Sequence, residues 1–308
     1  VLSLPPVPLP ARNPGASGFE IEVPPALGAV TTDLRHSASK NMTGAVLNSG
    51  ISRNHTITMV GPGLRFVQVR SVNAVGNGSW SDVLAKQLIL IPATSTRYLS
   101  LPFTPGGNQT VAGIFGSTNE AGLTAGGNSS VATNVLLLNS NGQTANFIFY
   151  NSSASQWREG PTDQGALSIP QGNGFMLKNP TATDDYLVLT GTPRASGGPP
   201  VTISITTDPG EFQLVSPTRS TATRLADLNL NPGPGLGQFK TANLVRNADR
   251  IFVPNSEGAL IRYHHDGTNW KQGPSIANDI TVPVGGSFFI LKATGSTFQS
   301  WVLPAEAP

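Results

Sequence analysis

Four histidines and seventeen acidic side chains are the residues here suited to acid–base or metal chemistry, and only two short clusters set them side by side. His264-His265-Asp266 is one. Neighbouring residues on a strand point to opposite faces, so the two imidazoles do not converge on one metal. Asp184-Asp185 is the other, in a Thr-Ala-Thr-Asp-Asp stretch. There a turn, with the carboxylates bonding nearby backbone, is expected ahead of calcium binding. No Gly-x-Ser-x-Gly, His-Glu-x-x-His, P-loop or Rossmann fingerprint occurs. A glycosidase needs two carboxylates facing across a cleft, and nothing in the sequence singles out such a pair. No catalytic residue, metal ligand or cofactor is assigned, and the chain reads as non-enzymatic.

The scaffold that would position any such group is read from composition and repeats. Charged residues make up 12% of the 308, about half the usual globular share. Glycine (34) and proline (26) are abundant, yet 38% of the chain is hydrophobic and falls in short alternating runs. Many strands joined by turns explain that pattern, so the fold class is all-β. The net charge of +2 comes from a near balance of 19 basic and 17 acidic groups, with no Lys/Arg cluster, which argues against nucleic acid as a partner. No apolar run approaches the roughly 18 residues of a membrane span. There is no cysteine, so no disulfide forms. The start at Val1 and the low charge lead to the expectation of a processed, extracellular or cell-surface chain.

The last two-thirds repeats itself. Trp157-Arg158-Glu159-Gly160-Pro161, then Ile169-Pro170-Gln171-Gly172, then Gly174-Phe175-Met176-Leu177-Lys178 returns as Trp270-Lys271-Gln272-Gly273-Pro274, Val282-Pro283-Val284-Gly285 and Phe288-Phe289-Ile290-Leu291-Lys292. Repeats of this kind set the domain count. Residues 95–200 and 201–308 are the two copies, joined by the linker-like stretch from Ala195 to Pro200. Leu99-Ser100-Leu101-Pro102 is matched with Leu214-Val215-Ser216-Pro217, and Asn151-Ser152 with the two histidines. Asn141-Gly142 and Asp266-Gly267 are hairpin signals. Pro-x-Gly turns the chain, and the four apolar residues after it are expected to form a strand buried on both faces. The tryptophans should cover that strand. Trp157, Phe175, Trp270 and Phe288 are thus the expected core, with an exposed sugar-stacking role for the tryptophans as the rival. The pattern Trp…Pro-x-Gly-x-Gly-Phe resembles a module of secreted, mostly uncharacterised bacterial surface proteins, which implies export and a β-fold. Ser287 departs from it in place of the second glycine.

Residues 15–94 form the first expected domain. Phe19-Glu20-Ile21-Glu22-Val23 alternates with period two, as a half-buried strand does. The stretch Pro62-Gly63-Leu64-Arg65-Phe66, then Val69-Arg70-Ser71-Val72-Asn73 and Gly76-Asn77-Gly78 up to Ser81, resembles the end of a fibronectin type III domain. That resemblance implies a seven-stranded sandwich without catalysis. The corner tyrosine is missing: Arg65 or Phe66 stands there, depending on the direction of counting. The core tryptophan of the second strand is absent too.

Residues 1–14 are rich in proline, at Pro5, Pro6, Pro8, Pro10 and Pro14. Proline excludes a helix and leaves polyproline or edge-strand geometry. Val1, Leu2, Leu4, Val7 and Leu9 are apolar, so this tail is expected to dock, on its own domain or on a neighbour, and these five are the candidate subunit contacts. Six Asn-x-Ser/Thr sites, at Asn41, Asn54, Asn77, Asn108, Asn128 and Asn151, are candidate glycosylation positions. The expectation is a structural subunit of an extracellular polymer, a filament or surface layer that assembles with itself. The alternative is an adhesin or carbohydrate-binding module with cell-surface glycans as partner.

Overall fold

The computed structural model describes residues 12–15, 17–23, 29–52, 54–105, 108–139, 144–195, 200–303 and 306. Val1, Leu2, Leu4, Val7, Leu9, the Asn141-Gly142 turn and most of the linker after Ala195 lie outside them. The described chain is nearly all β. Its first strands are β1 (Arg12–Gly15), β2 (Gly18–Glu22), β3 (Thr31–Ser37), β4 (Val46–Ile51), β5 (Asn54–Thr58), β6 (Gly63–Asn73), β7 (Gly76–Asn77) and β8 (Leu84–Ile91). Those of the first copy are β9 (Thr96–Leu99), β10 (Thr104–Pro105), β11 (Asn134–Leu138), β12 (Thr144–Asn151), β13 (Gln156–Glu159), β14 (Thr162–Asp163), β15 (Phe175–Lys178) and β16 (Asp185–Thr192), with one short helix, α1 (Val111–Phe115).

A three-stranded sheet, β1-β2-β5, faces a larger one ordered β10-β16-β8-β6-β3-β4. Phe19, Ile21, Leu34, Ile57, Val67, Val69 and Leu88 fill the space between them. The larger sheet has a second buried face. Phe66, Ala85, Ile89, Ile91, Leu187 and Leu189 pack there with Phe103, Phe115, Trp157 and Phe175 of the first copy. One sheet therefore closes two cores, and the expected boundary near residue 95 is spanned by β8 pairing with β16 from Ala85 to Ile91. The sequence Leu84-Ala85-Lys86-Gln87-Leu88-Ile89-Leu90-Ile91 suits this position, since a strand covered on both sides reads as a near-continuous apolar run.

The second copy supplies β17 (Thr202–Ser204), β18 (Phe212–Val215), β19 (Thr223–Arg224), β20 (Pro232–Gly233), β21 (Phe239–Lys240), β22 (Arg250–Pro254), β23 (Leu260–His265), β24 (Trp270–Gln272), β25 (Ser275–Ile276), β26 (Thr281–Val282), β27 (Phe288–Leu291) and β28 (Ser300–Val302). Its main sheet runs β25-β24-β23-β22-β27-β18, strand for strand the order β14-β13-β12-β11-β15-β9 of the first copy. The pairing of β16 with β8 is matched by that of β28 with β17. The duplication thus takes in β8, a strand that also belongs to the first sandwich.

Strand pairing fixes the equivalences and corrects two matches made by sequence. Leu99 lies opposite Phe175 and Val215 opposite Phe288, so Leu99 matches Val215, and Ser100 matches Ser216. The sequence match, set by the prolines, is one residue out because the loops after these strands differ. Tyr150 pairs with Trp157, and His265 pairs with Trp270. The histidines therefore occupy the places of Phe149 and Tyr150, not those of Asn151 and Ser152.

Candidate functional site

The clusters singled out for chemistry make contacts that hold the fold. His265 meets the Trp270 ring edge-on at 5.4 Å, as Tyr150 meets Trp157 at 5.3 Å. Its Nδ1 accepts the Gly267 N–H at 3.1 Å. Burial lowers the pKa of both His264 and His265 and favours neutral imidazoles. Asp185 accepts the N–H of the adjacent Tyr186, as a carboxylate bonding nearby backbone should, and both aspartates also bond far beyond their own turn. Asp184 accepts the Ala93 N–H, and Asp185 accepts the Thr124 N–H and the Thr133 hydroxyl. The second copy reverses that polarity. Asp249 stands at the place of Thr133 and accepts from the Ser296 hydroxyl and from the N–H groups of Lys240 and Ala293. Burial raises its pKa. Lys86 is fully buried and donates to Thr190 Oγ1 at 3.1 Å; burial brings its pKa down to about 7. Among the described residues no three His, Asp or Glu side chains gather in a set that could hold a metal ion.

The aromatic residues expected in the core face inward. Trp157, Phe175, Trp270, Phe288 and Trp301 are all buried. Trp157 Nε1 donates to Gly116 O, and Trp301 Nε1 donates to Leu228 O, each at 2.7 Å, so the polar end of each indole is satisfied. Phe115 links Trp157 to Phe175 through contacts of 5.5 and 5.6 Å. The expectation of strands buried on both faces needs correction for β15. Phe175 and Leu177 are buried there, while Met176 is half-buried and Lys178 exposed. All four residues of β27 are buried, with Tyr98 of the first copy against Phe289 at 5.6 Å. Trp80 is half-buried, and the guanidinium groups of Arg35 and Arg70 lie over its ring at 4.3 and 4.6 Å. Among the candidate glycosylation positions, Asn41, Asn54, Asn77, Asn108 and Asn128 are exposed. Asn151 is buried, with its amide donating to Gly127 O.

The motif that defines the repeat is where the two copies meet. Ser100 N–H donates to Gly285 O, and Ser216 N–H donates to Gly172 O, each at 2.9 Å. The bridges Leu99–Gly286 and Asn173–Val215 repeat the reciprocity. Each Pro-x-Gly turn thus receives the edge strand of the other copy. This is the pattern of a two-fold interface, in which i meets j and j meets i. Ser100 and Ser216 sit at the axis, their hydroxyls hydrogen-bonded to each other. No family model matches this chain, and no curated protein matches it. The interface itself explains why the motif departs at Ser287. A Cβ at Gly174 would lie 2.8 Å from Ser287 Cβ and 2.5 Å from Leu214 Cγ. Positions 174 and 287 are equivalent and face each other, so there is room for only one side chain.

Where both copies meet the first sandwich, a cleft of about 490 Å³ opens, lined by Leu64, Ile89, Tyr98, Pro254 and Pro283 among others. Gln87 Oε1 and Ser287 Oγ are buried in its wall without a partner among the described residues. The cleft brings together no pair of carboxylates. A different surface stands out. β4 ends the large sheet, with its outer edge unpaired among the described residues, and Val46 and Leu47 on it are each 53% exposed. Sequence reasoning passed over this strand because Val46-Leu47-Asn48-Ser49-Gly50-Ile51 is short and lacks clean alternation.

Proposed function

We propose that this chain is a structural subunit of a polymer outside the cell, a filament or surface layer built from copies of itself. The observation that carries the reading is the β4 edge, open among the described residues, with Val46 and Leu47 exposed. Unpaired N–H and C=O groups beside apolar side chains are a template for strand pairing, and proteins that avoid association protect such edges with charge, proline or a covering loop. Low charge and the absence of cysteine suit a chain that associates through backbone and apolar contacts. The order β1-β2-β5 against β8-β6-β3-β4 supports reading the first unit as a fibronectin type III-like sandwich. On that reading Arg65, whose Nη1 donates to Leu64 O, would take the corner position, since Phe66 packs in the core on the opposite face. No helix among the described residues is long and apolar enough to cross a membrane.

The test is charge on the edge. Val46→Lys with Leu47→Lys should abolish sedimentable polymer while leaving the circular-dichroism spectrum and melting temperature of the monomer unchanged. Undiminished polymer from the folded double variant would defeat the reading. Glycan binding is the alternative, and Trp80 would be its only part-exposed indole, already stacked against two arginines.

A further inference from the structure

We infer that the strand which covers the β4 edge is residues 6–11 of a neighbouring copy, added head to tail. This rests on the polymer reading above and specifies its contact. The argument starts from the spacing of prolines. Pro6, Pro8 and Pro10 alternate with Val7, Leu9 and Ala11. In an extended strand, successive N–H groups point to opposite sides, and a residue facing its partner strand gives it both N–H and C=O. Proline lacks the N–H and is confined to edge strands, where that side faces solvent. A strand with proline at every second place therefore has one intact edge, carried by Val7, Leu9 and Ala11. Its other edge lacks donors and ends the sheet. Such a segment can accept one sheet and refuse a second.

The acceptor fits in length and in chemistry. β4 is six residues long, as is the segment 6–11. Val46 and Leu47 are adjacent, so they lie on opposite faces of the sheet. On the added strand Val7 and Leu9 line one face and the prolines the other, which gives both exposed side chains an apolar neighbour.

The fold directs the contact to another molecule. Within the small sheet β1 and β5 are the two ends, and β1 lies against β16. In the large sheet β16 and β4 stand at opposite sides, four strand steps apart. Arg12, the first residue of β1, is thus at the side of the sandwich away from its own β4, and residue 11, its direct neighbour in the chain, cannot lie against that strand. A contact from one side of a molecule to the far side of the next does not close on itself and generates a fibre.

The chain has no cysteine, so disulfide trapping is clean. Chains carrying Val7→Cys and Leu47→Cys, mixed under mild oxidation, should give a cross-linked heterodimer. Val7→Cys mixed with the exposed control Ile276→Cys should give at least tenfold less. A yield no higher than the control overturns the inference, as does closure within one chain when both cysteines are on the same molecule. Val7→Pro, which removes a donor from the intact edge, should weaken assembly at least tenfold, whereas Pro8→Ala should change it less than twofold. Equal damage from the two would mean docking without strand pairing and would also overturn it. If electron microscopy shows polymer from the native chain, lost in the Val46→Lys, Leu47→Lys variant, while trapping fails, residues 6–11 are not the strand that covers β4 and the polymer reading stands; if no polymer forms, both fall.

Discussion

Gly174→Ala probes the contact between the copies. Its backbone needs no left-handed conformation, unlike Gly172 (φ 89°) and Gly285 (φ 69°), so only space forbids a side chain. The added methyl would lie 2.5 Å from Leu214 Cγ, 2.8 Å from Ser287 Cβ and 3.0 Å from Leu214 Cδ2. Leu214 Cγ is a branch point near the backbone, so relief requires moving the strand and not merely a side-chain tip. Overpacking of this kind costs about 1–3 kcal/mol. Stiffening of the unfolded chain returns about 0.4–1 kcal/mol. We therefore expect a net loss of about 1–2 kcal/mol in urea unfolding, with faster amide exchange at Ser100 and Ser216, whose N–H groups cross the interface. Adding Ser287→Gly should restore part of the loss, with a coupling above about 0.5 kcal/mol for residues in contact. Recovery stays partial because Leu214 remains. A Gly174→Ala chain within about 0.5 kcal/mol of the parent, with unchanged exchange at both serines, would refute a tightly packed interface.

Three further outcomes follow from buried groups. Lys86 holds its proton with a pKa of about 7 when folded, against about 10.4 in an unfolded chain. Between those values the unfolded chain binds more protons, so stability should rise with pH from about 7 to about 10, by up to about 4 kcal/mol. Urea midpoints across that range should climb in the parent and flatten in Lys86→Met; equal slopes would contradict the assignment. His265 has its pKa lowered by burial, so its contribution is intact above about 6.5 and is lost as pH falls below that value. His265→Tyr installs the residue used at Tyr150 and should reduce the acid loss between pH 6.5 and 5, measured by thermal unfolding; an unchanged profile counts against it. Trp157→Ala should destabilise the chain by about 3–5 kcal/mol, read from urea unfolding, and a loss under about 1 kcal/mol would show that the ring is not a core anchor.

Much of the fold was legible because the repeated signals are local. The tryptophan, the Pro-x-Gly turn and the apolar run each report their own turn or strand, and they recur in the same sheet order. The register was less legible. Ser100 matches Ser216 through a hydrogen bond across the copies, which a match set by Pro102 and Pro217 does not register. The sharing of β8 between two cores was hidden for a similar reason: Leu84 to Ile91 announces burial on both faces but does not say what covers each. For Asp184 and Asp185 the local bond to Tyr186 was within reach of the sequence, but Ala93, Thr124 and Thr133 were not, being far away along the chain. The β4 edge carried no signal of its own. It matters because it is the end of a sheet, which is a property of strand order.

Electron microscopy of the intact chain, concentrated at neutral pH, tests the central claim most directly. The account predicts ordered polymers with a constant subunit repeat, lost when Val46 and Leu47 become lysine. Single particles at every concentration, with residues 1–11 present, would contradict it.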